Sequence, residues 1–279
     1  MAKYLIVNAD DFGLDKNINL GIFESFNQGI VTSVSVVSNG GAFDDAIGLV
    51  HKAGRKPGVG VHLSLISEKP VLPPGKIPSL IGKNGHFLSN FLDLARGIYL
   101  SKVNLSEIEK EAEAQITKVL EYGITPTHID GDRFVHLLPP IFDIAIKLAK
   151  KFKIKYVRYP YFDNHMPLFS FNNVIKKYFI RLFSKRQVRI MEKNNIRHVD
   201  YSYGFMMSGH INKDIFTRFL NSIKIGLSDI NIHPGYMPAI EKYSLWKYHW
   251  DEERDLLCRP KIKELIESLD IKLVAYGKK

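Results

Sequence analysis

Carboxylate and imidazole side chains recur where short apolar runs end. Asn8, Asp10 and Asp11 follow Tyr4-Leu5-Ile6-Val7, and His62 lies in Gly60-Val61-His62-Leu63. His128, Asp130 and Asp132 close another run, with His136 just beyond, and His233 ends Ile232-His233-Pro234-Gly235. Adjacent Asp10 and Asp11 repel each other when ionised, and a divalent cation offsets that repulsion. Carboxylate plus imidazole is an ordinary ligand set for such an ion. A single Asp at a strand end is commonly a helix cap or turn former, and a lone His is commonly a satisfied polar residue. On spacing alone, a metal site and a set of unrelated caps both stay open; four such ends in one chain weigh toward the metal.

Positioning these residues together falls to the elements that carry them. Apolar, β-branched runs predict strands at 4–9, 33–38, 58–65, 125–130, 156–159, 229–232 and 272–276, with a weaker one at 198–202. Helical spacing predicts helices near 16–28, 42–54, 104–122, 139–151, 171–194, 212–224 and 251–268. The helix at 104–122 is the best marked: Asn104 suits the N-cap with Glu107 three residues on, and Gly123 and Pro126 stop it. Strands alternating with helices imply a parallel sheet. Seven or eight such units point to an α/β fold of the (β/α) barrel kind, irregular if the weak strand fails, more than to an open doubly wound sheet. In a barrel the C-terminal strand ends share one face, where residues distant in sequence meet. Residues 66–100 break the rhythm with Pro70, Pro73, Pro74 and Pro78, and read as an irregular functional loop or lid. No repeat or linker is evident, so one domain over 1–279 is expected.

Composition narrows the class. The chain has 279 residues, 45% hydrophobic and 24% charged, which excludes disordered, collagen-like and fibrous proteins. The single cysteine, Cys258, excludes an internal disulfide and a Cys-rich zinc module. No apolar run approaches the roughly 18 residues of a membrane span. The N-terminal apolar run is cut short by Asn8, Asp10 and Asp11, too soon for a signal peptide, so a cytoplasmic protein is expected. The net charge of +10 is uneven: residues 176–197 hold eight cations against the single acid Glu192, a net +7. A basic amphipathic helix of this kind packs on the protein body or lies against an anionic membrane, where it would contact a lipid-linked or anionic sugar. No nucleic-acid partner is expected, since the rest of the chain is nearly neutral and carries no recognised binding module.

Asn8-Ala9-Asp10-Asp11-Phe12-Gly13, Gly60-Val61-His62-Leu63, Pro126-Thr127-His128-Ile129-Asp130 and His233-Pro234-Gly235-Tyr236 together resemble the YdjC/ChbG/HpnK family of carbohydrate deacetylases, typified by chitooligosaccharide deacetylase. Val31-Thr32-Ser33, Pro78-Ser79-Leu80 and Glu253-Arg254-Asp255-Leu256 extend the resemblance over most of the chain, weakening between about 160 and 215. It implies a single-domain barrel of the polysaccharide-deacetylase-like type. It also implies a divalent metal and hydrolysis of the N-acetyl group of an amino sugar or oligosaccharide. Carried over, Asp11 and His62 would be metal ligands, Asp10 the general base, and His233, as an imidazolium, the acid that protonates the leaving amine. One departure stands out. Where the family usually reads Ser-His-His-His-Val-His, this chain has Gly131-Asp132-Arg133-Phe134-Val135-His136, so the third ligand position holds Asp132. With Asp132 the set becomes two carboxylates and one imidazole, which favours Mg²⁺ or Mn²⁺ over Zn²⁺. Otherwise His128 or His136 supplies the ligand, or the metal is lost.

Further candidates are Asp130, which would orient a ligand, and Arg158, which would bind substrate hydroxyls or pair with Asp10. Trp246, Tyr248 and Trp250 would stack on a sugar ring or share out between core and surface. Two other readings stay open: a metal-assisted hydrolase of another amide or ester, and a non-catalytic carbohydrate-binding relative. The sequence leaves the oligomeric state undetermined, a homodimer included.

Overall fold

A computed structural model describes residues 2–159 except 67, 83 and 89, and residues 171–278, without the side chains of 171–181. β1 (Lys3–Phe12) leads to α1 (Lys16–Asn27), whose N-cap Asp15 accepts the Asn17 N–H at 2.8 Å. There follow β2 (Ser33–Val36), α2 (Phe43–Lys52) and β3 (Gly58–Leu63), then α3 (Phe91–Tyr99), α4 (Leu105–Glu121), β4 (His128–Gly131) and α5 (Pro139–Lys151). β5 (Tyr156–Val157), α6 (Phe171–Lys193), β6 (Tyr201–Tyr203), α7 (Lys213–Ser222) and β7 (Gly226–Ile232) come next. The chain then runs through α8 (Glu241–Ser244), α9 (Trp250–Cys258) and α10 (Pro260–Ser268) to β8 (Ile271–Leu273).

All described ladders are parallel, and the sheet runs β5-β4-β3-β2-β1-β7-β6. The first seven strands thus form the curved wall of the expected α/β barrel. Its closure is partial: β5 and β6 are two and three residues long, and Tyr156 meets the chain ahead of β6 through one bridge to Arg197. β8 lies apart from the wall. β7 takes one edge of β1 along residues 3–9, so the other edge is shared between β8, at Lys3–Leu5, and β2, from Asn8 onward. The last eight residues of β1 are buried, as both faces of a helix-covered parallel strand must be. One large apolar core links the strands to the inner faces of the helices.

Two expectations change. Residues 251–268 form two helices, because Pro260 cannot continue a helix and holds Arg259 extended. Residues 66–100 are less irregular than expected. They contain α3, capped by the Asn90 side chain on the Asp93 N–H (2.9 Å) and packed through Leu94 and Ile98. Glu111 of α4 fastens the preceding loop by accepting the Val71 and Leu72 N–H groups at 2.9 and 3.0 Å. In the described half of α6, Gln187 and Met191 are buried, and Gln187 donates to the Leu137 carbonyl, so this part of the basic segment packs on the body. Lys176, Lys177 and Arg181 lie outside the described side chains. No helix among the described residues is long and apolar enough to cross a membrane.

Candidate active site

Asp10 and Asp11 stand next to each other in β1, yet both carboxylates reach the same centre. Consecutive side chains of a regular strand point to opposite faces. Here the β1–β2 register slips: Ala9 pairs with Val34 and Phe12 with Val36, so β1 carries one extra residue. Asp11 takes the left-handed conformation (φ 70°) within that bulge. The irregularity turns a pair of neighbours into a pair of co-facing acids.

Asp10 is held firmly. Both its oxygens lie 2.9 Å from Nη1 of Arg158, which follows β5, and Oδ1 accepts from Asn8 Nδ2 at 2.7 Å. The same Arg158 Nη1 lies 2.9 Å from Asp130 Oδ2, and its Nε is 3.2 Å from Asp229 Oδ2. Ser35 of β2 completes the layer, donating to Asp130 Oδ2 at 2.6 Å. All of these side chains are buried. Burial would raise Asp130, but Arg158 and then His62 hold it well below the usual carboxylate range.

Asp130 also fixes His62. Its Oδ1 is 2.8 Å from His62 Nδ1, which leaves His62 Nε2 toward Asp11, 3.8 Å from Oδ1. Asp132, just past β4, brings a third donor, and the ligand atoms of Asp11, His62 and Asp132 all lie within 4.8 Å of one another. Burial pushes Asp11 up to about 8, with Asp132 and Asp10 adding to it against His62, and burial raises Asp132 as well. His62 goes up to about 10 although burial alone would lower it, because Asp130, Asp10 and Asp11 surround it. Two crowded carboxylates and an oriented imidazole nitrogen make a donor set that a hard divalent cation would relieve and fit. Asp10, His62 and Asp130 form a second such group. In that one both carboxylates already face the Arg158 guanidinium, so its charge is largely met.

The two other histidines of the β4 region lie elsewhere. His128 stacks on Tyr276 at 4.0 Å and sits 3.1 Å from Ser35 Oγ; burial pushes it down to about 3. His136 Nε2 is 2.9 Å from the Arg158 carbonyl, bracing the chain that carries the guanidinium, and burial takes it down to about 4. Neither shares the group formed by Asp11, His62 and Asp132.

His233 follows β7. Its Nδ1 accepts the Gly209 N–H at 3.2 Å, and burial pushes the ring down to about 4. An imidazolium needs a proton on Nδ1, where the Gly209 N–H already points. This contact and the burial of the ring favour a neutral imidazole, whereas the sequence reading takes His233 as charged. The aromatic trio divides: Trp250 is buried core, Tyr248 packs edge-on to His233 at 5.0 Å, and half-buried Trp246 carries the Arg133 guanidinium 5.5 Å from its ring centroid.

Sequence reasoning passed over Ser35, Asp229 and Glu68, and gave no role to Glu253 although it opens a motif that carries the resemblance. Glu68, nearly buried in the loop after β3, accepts from Lys242 at 2.8 and 2.9 Å and from Tyr243 at 3.2 Å, tying that loop to α8. The Ser-Val-Ser-Val alternation of β2 was the available signal for Ser35: its polar phase lines the interior of the wall.

Fold and site together define an α/β protein of the barrel class with a buried carboxylate–imidazole cluster at the C-terminal strand ends. More particularly, the YdjC-like protein family matches residues 4–268, and the chain belongs to it. It is 35% identical over 278 residues to a carbohydrate deacetylase of Geobacillus stearothermophilus, covering 99% of this chain and 98% of that one. A carbohydrate deacetylase of Brevibacillus brevis is 31% identical over 276 residues, with 98% of each chain covered. Among solved structures, a putative cellobiose-phosphate cleavage protein of Enterococcus faecalis superposes with a TM-score of 0.76 at 26% identity, covering 99% of this chain and 98% of that one.

Proposed function

We propose that the protein is a metal-dependent carbohydrate deacetylase that hydrolyses the N-acetyl group of an amino sugar or oligosaccharide. The observation that carries this reading is the buried group of Asp11, His62 and Asp132, set beside an Asp10 that Arg158 and Asn8 hold in place. The names of the Geobacillus and Brevibacillus relatives support the substrate class. Asp11, His62 and Asp132 would hold the ion, and two carboxylates with one imidazole suit Mg²⁺ best, with Mn²⁺ or Zn²⁺ the other candidates. When bound, such an ion polarises a carbonyl and acidifies water.

The chain's own groups do the rest. Asp10 is the general base. Two of its contacts are the Arg158 guanidinium and the Asn8 amide, which fix the carboxylate's orientation toward a water. Arg158 is buried beneath it and positions it without reaching solvent. His233, with Nδ1 committed to Gly209, would meet the leaving nitrogen through Nε2. The half-buried Trp246 would offer a face for a sugar ring.

Acetate release from N-acetylated oligosaccharides tests this, measured with Mg²⁺ or Mn²⁺ added and after chelation. Release that needs the ion is expected. Ion-independent release, or none from the metal-loaded protein, would remove the reading.

A further inference from the structure

Glu253 is a buried carboxylate for which the reaction above has no use. It lies in the first turn of α9 with no exposed surface. Its Oε2 accepts the main-chain N–H of His233 at 2.6 Å, and its Oε1 accepts that of Ile211 at 2.8 Å. The adjacent Arg254 pairs instead with Asp251 and Asp255. Burial pushes the Glu253 carboxyl up to about 8. A carboxylate buried on two N–H groups alone is expensive, and capping two loop amides does not by itself require one.

The two segments that Glu253 joins are those that set the His233 ring. Gly209, two residues before Ile211, donates to His233 Nδ1. Its carbonyl in turn accepts from His249 at 2.8 Å, immediately ahead of α9. Gly209 has φ +71° and packs against the Tyr248 ring, where a Cβ would come within 2.1 Å of Cγ. One carboxylate therefore anchors both the segment that carries the donor amide and the chain that bears the acceptor ring.

We propose that Glu253 is the positioning residue that fixes His233 as the neutral imidazole protonated on Nε2. For its catalytic half the proposal rests on the deacetylase reading. Protonating Nδ1 would set two N–H groups against each other, so His233 donates a hydrogen bond from Nε2 and keeps its proton. The proton route then runs through Asp10. The oxygen of water bonds to the acyl carbon, and its proton passes to Asp10. The C–N bond breaks with its electron pair on nitrogen, and the proton on Asp10 passes to that nitrogen.

The test is the ring-nitrogen spectrum of His233 in magnesium-loaded protein labelled with ¹⁵N-histidine, followed from about pH 5.5 to about pH 8, the range in which an unperturbed imidazole titrates. The wild type should show a protonated Nε2 and a bare Nδ1 throughout. Glu253→Gln can accept only one of the two N–H groups; it should show mixed tautomers and lower kcat about 100-fold, the cost of a slight misplacement, with KM unchanged. Should that variant not fold, Glu253→Asp, too short to span both amides, takes its place. A wild-type His233 that charges within this range, or a variant with an unaltered ring spectrum, overturns the proposal. A changed spectrum with unchanged kcat overturns its bearing on catalysis. Absence of acetate release from the wild type removes the deacetylase reading and still leaves the spectrum to decide the positioning.

Discussion

On the proposed reading, Asp132 would set the cation preference of the group it forms with Asp11 and His62. An imidazole in its place would turn two oxygens and one nitrogen into one oxygen and two nitrogens, a softer set. Asp132→His is therefore expected to shift selectivity from Mg²⁺ toward Zn²⁺, read by elemental analysis after dialysis against an equal mixture. Asp10→Asn should leave the metal content intact, because the ligand group stands without it. It should lower kcat by about 10³-fold, within the range of a lost general base. Metal loss in that variant would put Asp10 among the ligands. Asp10, Asp11, His62 and Asp132 were legible in the sequence because they lie within or at the ends of apolar runs, where polar residues are conspicuous, and in motifs of the resemblance. Glu253 stood in a motif of the resemblance, but its role was not legible: on a helix, an acid in the first turn reads as ordinary dipole complement, and only the fold reveals the two amides it accepts from.

The helices act on the site mainly by where they stop the loops. α1 crosses the turn after His233 at Gly21, where a Cβ would lie 2.5 Å from Gly235 Cα and the same distance from its carbonyl carbon. Both obstacles are backbone, so neither can swing away. Gly21→Ala should cost about 1–3 kcal/mol of stability, as overpacking does, and lower activity by displacing His233. Gly48→Ala, in α2, meets nothing within 4 Å and should be neutral or stabilising by about 0.4–1 kcal/mol. Denaturant unfolding of both variants checks the contrast, and an unchanged Gly21→Ala would show that the crossing has slack. Most elements could be read ahead of the structure where caps and breakers coincide with periodicity, as at Asn104 and Gly123 around α4. α3 escaped because the prolines before it dominate its surroundings. β8 was placed too late in the chain, since its pairing with β1 and not its own composition fixes where it ends.

For the whole molecule, the buried charges make stability depend on pH in a definable direction. Asp11 and Glu253 bind protons more tightly in the folded state, both going up to about 8, and so does His62, going up to about 10. Groups with raised folded values give stability at low pH and lose it as pH rises. Below about pH 6.5, the ordinary value of histidine, His128, His136 and His233 act the other way, because burial keeps them neutral. Between about pH 6.5 and about pH 8 these three histidines no longer oppose the first set, so the melting temperature of metal-free protein should fall across that window. Added Mn²⁺ should restore it, and more at the upper end, where fewer protons compete for Asp11 and His62. Thermal melts with and without the ion, at both ends of the window, measure this; equal stabilisation at both would count against a cation among these residues.

The extra residue in β1 has a consequence for how such proteins can change. Because Asp10 and Asp11 share a face only through that irregularity, the centre is encoded in strand length as much as in residue identity. Excising one amino acid there, with every acid and histidine retained, would restore the even pleat and swing one carboxylate out toward the helical layer. Lineages of this fold could therefore abandon the chemistry by a three-nucleotide loss that no comparison of active-site letters would reveal.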